Sequence, residues 1–224
     1  MSVEEILSEL ESMGNPHNRE GMARFGINTE KAFGVSVYKI RAMAKKLGKD
    51  HKLAEQLWAT ENHEARMLAC FIDEPDKVTE LQMDDWVAEF DSWDICDQVC
   101  SNLFDKTPFA LKKIDEWTTD SREFVKRAGF VLIAALSVHD KNAEDSLFIG
   151  FLTVIERESH DERNFVKKAV NWALRSIGKR NKGLNRVALT SARKILEQDS
   201  KSAKWIARDA IRELESDKTR SRLK

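Results

Sequence analysis

Proline is scarce in this sequence, with three among 224 residues, and glycine is nearly as thin at nine. All-β sandwiches and doubly wound α/β folds use more of both in their turns, so this composition argues against them. Cysteine is limited to Cys70, Cys96 and Cys100. In a chain not expected to be exported, small buried thiols are a simpler reading of these than a disulfide. The five histidines (His17, His51, His63, His139, His160) are scattered and form neither HExxH nor a Cys/His cluster, so no metal site is expected. GxGxxG, a Walker loop and GxSxG are missing too, and no cofactor is expected. The longest largely apolar run, Ala128–Val138, covers 11 residues, too few to span a bilayer. The opening MSVEEILSEL is acidic where a signal peptide would be basic, which points to a cytoplasmic location and no membrane partner.

What is present is a soluble globular balance, 42% hydrophobic and 33% charged. The net charge of −1 conceals an asymmetry. Residues 1–120 hold 14 Lys+Arg against 24 Asp+Glu, and residues 121–224 hold 23 against 14. A basic C-terminal half fits a polyanionic partner, or simply a solvated basic face. Amphipathic helix is expected over 2–13, 37–47, 51–59, 62–71, 81–104 (broken near Asp91 and Ser92), 108–117, 122–138, 143–157, 161–180, 184–197 and 201–215. Candidate N-caps are Ser36, Ser92, Asp120, Asp161 and Ser202. No convincing strand is found.

An internal repeat is visible. FVKRAGFVLIAAL (124–136) aligns with FVKKAVNWALRSIG (165–178) at a shift of 41, WIARDAIREL (205–214) follows at a further 40, and HEARMLACF (63–71) is a weaker copy. Periods near 40 residues with paired helices mark solenoids of the HEAT type. The expected architecture is therefore a single all-α domain over 1–224, an α-solenoid of HEAT-like repeats with a concave basic groove. Its clearest repeats are 62–104, 108–138, 143–180 and 184–215. The repeated position would line Arg66, Arg127, Lys168 and Arg208 along that groove, where cations can follow a phosphate backbone.

Helical wheels refine the picture. In 165–178 the core arc is Phe165, Val166, Ala169, Val170, Ala173, Leu174 and Ile177, with Lys168, Trp172, Arg175 and Lys179 opposite. An indole among cations suits a stacking platform, although packing against a neighbouring repeat would also explain it. In 204–214 Trp205, Arg208 and Arg212 share the outer face. Helix 122–138 is apolar nearly all round, and its Lys126 and Arg127 need a partner carboxylate or an external phosphate. In DSWDICDQVCSNLF, Trp93 and Asp97 lie one turn apart at the edge of a core arc through Ile95, Cys96, Val99, Cys100 and Leu103, with Asp94 further toward solvent. A carboxylate beside an indole can stabilise a developing cation. An Asp97–Arg127 interhelical pair is the structural alternative.

The order W-x-x-x-D in SWDICD, then F-V-x-R-A, then F-V-x-K-A-x-x-W-x-L-R resembles the AlkD-like DNA alkylation repair family of HEAT-like repeat alkylpurine DNA glycosylases. MARFGINTEKAFGVSVYKIRAMAK resembles that family's opening helices, so the likeness runs from about Asn15 to Leu214. It implies excision of cationic N3- or N7-alkylated purines from double-stranded DNA, without a cofactor and without turning the base into a pocket. Asp97 would be the catalytic carboxylate, holding the oxocarbenium-like sugar and positioning water. Trp93 and Trp172 would contact the deoxyribose, Arg127 would grip a nearby phosphate, and Lys168 and Arg175 would contact the backbone. Lys179, Arg208, Arg212 and Arg66 extend the DNA-binding set by their place in the cationic rows. The family assignment also implies a bacterial, nucleoid-associated protein, and a monomer is expected. Two other functions stay open on the residues alone: a non-catalytic module for damaged or bent DNA, and a protein-interaction solenoid.

Overall fold

The computed structural model describes residues 1–223. Among them are fourteen α-helices, one 3-10 turn and no strand, as the periodicity requires. The chain divides into two compact units, Met1–Ala110 and Leu111–Lys224.

The first unit contains α1 (Val3–Ser12), α2 (Pro16–Arg24), α3 (Val37–Leu47), α4 (His51–Trp58), α5 (His63–Ile72), α6 (Glu80–Ala88), α7 (Trp93–Asn102) and a 3-10 turn (Phe104–Lys106). α5 is its centre and packs against α3, α4 and α7, with nearly every residue buried, including Glu64 and Arg66. Buried Glu64 is satisfied by three backbone donors, the N–H groups of Phe33 (3.0 Å), Gly34 (2.7 Å) and Val35 (3.1 Å). That clasp pins the irregular stretch between α2 and α3 onto α5. Gly34 is required there. Its φ is +82°, and a Cβ would lie 2.3 Å from the Asn15 carbonyl oxygen. Trp58 stacks flat on Trp86 at 4.0 Å and joins α4 to α6.

Helix α2 is absent from the sequence-based expectation. It has no buried residue and hence no apolar stripe to read. Local chemistry sets its start: the Asn15 side chain accepts from the N–H groups of His17 and Asn18, and Pro16 fills the first turn. The short α14 (below) was likewise unmarked. The expected 81–104 helix is interrupted where anticipated, between α6 and α7.

The second unit opens with α8 (Ala110–Trp117) and continues through α9 (Glu123–His139), α10 (Asp145–Glu158), α11 (Asn164–Gly178), α12 (Lys182–Leu196), α13 (Lys201–Leu214) and α14 (Asp217–Arg220). α11 lies between α9 and α13, while α12 packs on α10, α11 and α13. α9 is the core helix. Phe130, Val131, Leu132 and Ile133 are fully buried, each contributing about 1.5–3 kcal/mol relative to exposure. Gly129 admits the end of α8, since a Cβ there would sit 2.8 Å from the Thr118 nitrogen. Arg180 closes the C-terminus of α9: its guanidinium donates to the carbonyls of Ser137 and Asp140 at 2.8 Å and lies over the Phe148 ring.

The repeat shows itself in details that the wheels do not reveal. Asp120 accepts from the backbone N–H of Arg122 at 2.7 Å and from its guanidinium, and Asp161 treats Arg163 the same way at 3.0 Å. These aspartates therefore precede the helices rather than cap them. The N-cap residues are Arg122 and Arg163, and on α13 Ser200 rather than Ser202. Ser36 and Ser92 do occupy N-cap positions, without a side-chain cap bond.

Candidate nucleic-acid interface

Each unit carries its own set of the expected site residues. In the first unit, α7 presents Trp93 and Asp97 one turn apart, both half-buried. The core arc beneath them holds: Ile95, Cys96, Val99, Cys100 and Leu103 are buried. Trp93 is anchored from outside its helix, its Nε1–H donating to the Phe25 carbonyl at 3.1 Å. The neighbouring loop is fastened to the start of α7 as well. The Asn28 N–H donates to Ser92 Oγ at 2.8 Å, and its side-chain amide donates to Asp91 at 2.6 Å. This explains why Ser92 makes no cap bond: its hydroxyl is already an acceptor for Asn28. Asp97 makes contacts of its own and is not a free carboxylate.

Asp94 does not point to solvent as its wheel position suggests. Its carboxylate meets His63 Nε2 at 2.9 Å. His63 is 6% exposed. Burial works against a charged ring, but the hydrogen bond and charge of Asp94, aided by Glu64 and Asp91, outweigh it and raise the His63 pKa above its ordinary value. The pair ties α5 to the first turn of α7. Sequence reasoning gave His63 no role, because nothing in a 31-residue separation signals the contact.

Arg66 is the clearest departure from the expected cation row. It is buried, ion-paired with Glu89, hydrogen-bonded to the Glu89 and Trp58 carbonyls, and stacked over the Trp58 ring at 4.8 Å. Its donors are committed within the first unit, and the depression of about 500 Å³ that it borders is also lined by Glu30, Glu61, Glu89 and Asp91 against Lys31 and His63. An acidic rim of this kind repels a polyanion. Arg66 is a structural pin.

In the second unit, α11 presents Lys168, Trp172, Arg175 and Lys179 away from its buried face. Phe165 is only half-buried, its ring lying 5.5 Å from that of Phe124 instead of in the core. The outer residues differ in availability. Arg175 pairs with Glu213, which also takes Lys179 at 2.8 Å, and Arg175 approaches Asp209 at 3.7 Å. Although burial opposes ionisation of Glu213, the two cations hold its pKa below the ordinary range. Arg212 pairs with Asp209. Lys168 and Arg208 are exposed and make no ion pair among the described residues. Trp172 is half-buried beside a depression of about 520 Å³ bordered by Lys141, Lys179 and Arg180.

The two buried cations of α9 are satisfied by the following repeat. Lys126 meets Glu158 at 2.7 Å and Asp161 at 3.0 Å. Arg127 is buried, and its Nη1 donates to the Phe165 carbonyl at 2.6 Å. Among the described residues no group of three His, Cys, Asp or Glu could hold a metal ion, and no helix is long and apolar enough to cross a membrane.

Paired helices at a period near 40, with inner helices α9, α11 and α13 side by side, define a HEAT-like helical-repeat protein. The sequence model of the family described as "DNA alkylation repair enzyme" matches residues 6–214, and the chain belongs to that family. No curated protein matches it. Among solved structures it is similar to one described as a new family of proteins related to the HEAT-like repeat DNA glycosylases, with affinity for branched DNA structures. That likeness has a TM-score of 0.79 and 22% identity, and covers 95% of either chain. At that identity it supports the HEAT-like fold alone.

Proposed function

We propose that this protein binds double-stranded DNA and excises purines alkylated at N3 or N7. The observation that carries the reading is the α7 pair: a half-buried Asp97 one turn from Trp93, whose indole is held in place by the Phe25 carbonyl. Membership of the alkylation repair family supports it. An N3- or N7-alkylated purine carries a positive charge, so the glycosidic bond breaks with its electron pair moving onto the base and neutralising it. The sugar is left as an oxocarbenium-like cation. Asp97 stabilises that cation, as carboxylates do in glycoside hydrolysis. Water then adds to C1′ and loses its proton, with Asp97 as the adjacent acceptor.

In the first unit Trp93 is the aromatic surface for the deoxyribose, and in the second Trp172 is an aromatic surface for the DNA. Lys168 and Arg208 supply phosphate contacts because their ammonium and guanidinium groups are uncommitted. Arg175, Lys179 and Arg212 add charge that is partly neutralised by Glu213 and Asp209. Arg127 ties α9 to α11 through the Phe165 carbonyl and so sets the spacing of these faces.

The test is release of 7-methylguanine or 3-methyladenine from methylated duplex DNA. Asp97→Asn is expected to lower the rate about 10²–10³-fold, the usual cost of losing one electrostatic stabiliser, while duplex affinity is retained. Release of neither base by the wild-type protein overturns the catalytic reading. A second reading, binding without excision, is favoured by the branched-DNA affinity described for the similar structure. It predicts salt-dependent DNA binding with no base release.

A further inference from the structure

The outer face of α13 holds an indole that duplex binding leaves unused. Lys201, Lys204, Trp205, Arg208 and Arg212 follow one another at helical spacings of three, one, three and four, so they share the side opposite the buried Ala203, Ile206, Ala207, Ala210 and Leu214. Trp205 is 42% exposed, the most open tryptophan of the described residues, and lies in a depression of about 590 Å³ lined by those four cations and Asp209. The acid is engaged with Arg212 and Arg175. Lys204 has only fully exposed Asp199 at 3.3 Å, a pairing of little strength in water. Lys167 of α11 places its ammonium 5.3 Å from the Trp205 ring.

The repeat shows why this indole is unusual. Trp205 occupies the position that Phe124 and Phe165 hold in the two preceding repeats, and those two phenyl rings lie against each other, half-buried. Among the described residues no further repeat covers this face of α13, and an uncovered face in such a row is ordinarily polar. Here the ring is enlarged rather than replaced, and it is surrounded by cations. A large exposed aromatic in water needs an occupant, and the surrounding charge selects an anionic one.

We infer that the Trp205 face of α13 is a binding site for an unpaired stretch of DNA, a single-stranded tail or arm, with one base stacked on the indole and its phosphates on Lys201, Lys204 and Lys167. Bases inside a duplex are already stacked on one another and offer no free face, whereas an unpaired base does. Stacking of this kind is tolerant of sequence. The inference rests on the reading that the chain binds DNA, and it identifies a DNA structure, a duplex continuing into single strand, that the lesion chemistry does not require.

The experiment compares a blunt duplex with the same duplex carrying a single-stranded thymidine tail of about ten nucleotides, by fluorescence anisotropy. The tail is expected to tighten binding by about tenfold. Trp205→Ala should remove that gain while leaving blunt-duplex affinity unchanged, and Trp205→Phe, which preserves the aromatic row, should keep most of it. The double variant Lys201→Glu, Lys204→Glu retains the indole and should also lose the gain. A tail that adds nothing in the wild type, a gain that survives Trp205→Ala or the charge reversal, or equal loss for blunt and tailed DNA overturns the inference while leaving the duplex reading standing. Binding of tailed but not blunt DNA overturns the duplex reading and leaves this one. Binding of neither overturns both.

Discussion

The two units meet the same physical problem with opposite surfaces. The first carries 12 Lys+Arg against 21 Asp+Glu, and the second 25 against 17. Both nevertheless bury a cation in the central helix and satisfy it internally: Arg66 of α5 by Glu89 and the Trp58 ring, and Lys126 of α9 by Glu158 and Asp161. The difference lies outside the core. In the first unit Lys31 and Arg66 border a depression rimmed by carboxylates, Arg41, Lys45, Lys49 and Lys106 line another, and the residues suited to chemistry are an acid and an indole on α7. In the second unit the acids of α13 neutralise only part of the cationic face, and Lys168 and Arg208 are left over. Net charge separates the two units, but burial decides which of their cations a partner can reach.

The largest expected effect tests whether the buried cations are structural. Lys126→Ala removes the buried ammonium shared by Glu158 and Asp161, which keep Arg157 and Arg163, and Arg66→Ala leaves Glu89 with the Trp58 indole N–H. Removing one partner of a buried pair typically costs about 3–5 kcal/mol. Glu89 is half exposed and Glu158 and Asp161 each keep an arginine, so both losses should sit at or below the low end of that range, with Lys126→Ala the larger. Denaturant unfolding reads both. A loss from Lys126→Ala no larger than that of a surface pair, about 0–1 kcal/mol, would erase the distinction between buried and reachable cations.

The complementary prediction concerns the reachable ones. Lys168→Ala and Arg208→Ala should leave stability unchanged and each reduce the slope of log affinity against log salt by about 0.9 for duplex DNA. Should Arg66→Ala, where folded, lower the slope while Lys168→Ala does not, the assignment of grip to the second unit fails.

How much of this was legible beforehand depended on whether the determinant is local. The helices of the second unit were readable because Val166, Ala169, Val170, Ala173, Leu174 and Ile177 repeat at helical spacing and are all buried. The 41-residue shift between Phe124 and Phe165 exposed the repeat, and the rings prove to touch. Helix α2 was not legible, since its stability comes from a cap and a proline and not from an apolar face. The repeat alignment placed Arg66 in a functional row because it encodes position and not depth; Glu89, 23 residues away, decides the matter. The wheel turned Asp94 toward solvent because it carries no information on a partner 31 residues upstream. Phe165 faces inward by angle, yet it sits at the start of α11, where the core is thin and a neighbouring ring takes the place of deep burial.

The smallest expected effect separates the units by pH. His63 has a folded pKa raised above 6.5 by Asp94. Its contribution is complete below that unfolded value and is lost as pH rises through the folded one. Asp161 behaves in the opposite sense. Burial opposes its ionisation, but hydrogen bonds from Arg163 and Lys126 hold its pKa well below the ordinary 3.8. Its contribution is present above 3.8 and is lost as pH falls toward the folded value. The first turn of α7 should therefore loosen on the alkaline side of neutrality, and the junction of α10 with α11 on the acid side. Amide exchange at α7, corrected for the intrinsic pH dependence of exchange, should rise as pH increases above about 6.5 in the wild type and stay flat in His63→Gln, with protection around Asp161 unaffected by the same change. Parallel loosening of both regions at alkaline pH would show that the His63–Asp94 contact does not act on α7 alone, and the electrostatic contrast between the two units would then not extend to their local stability.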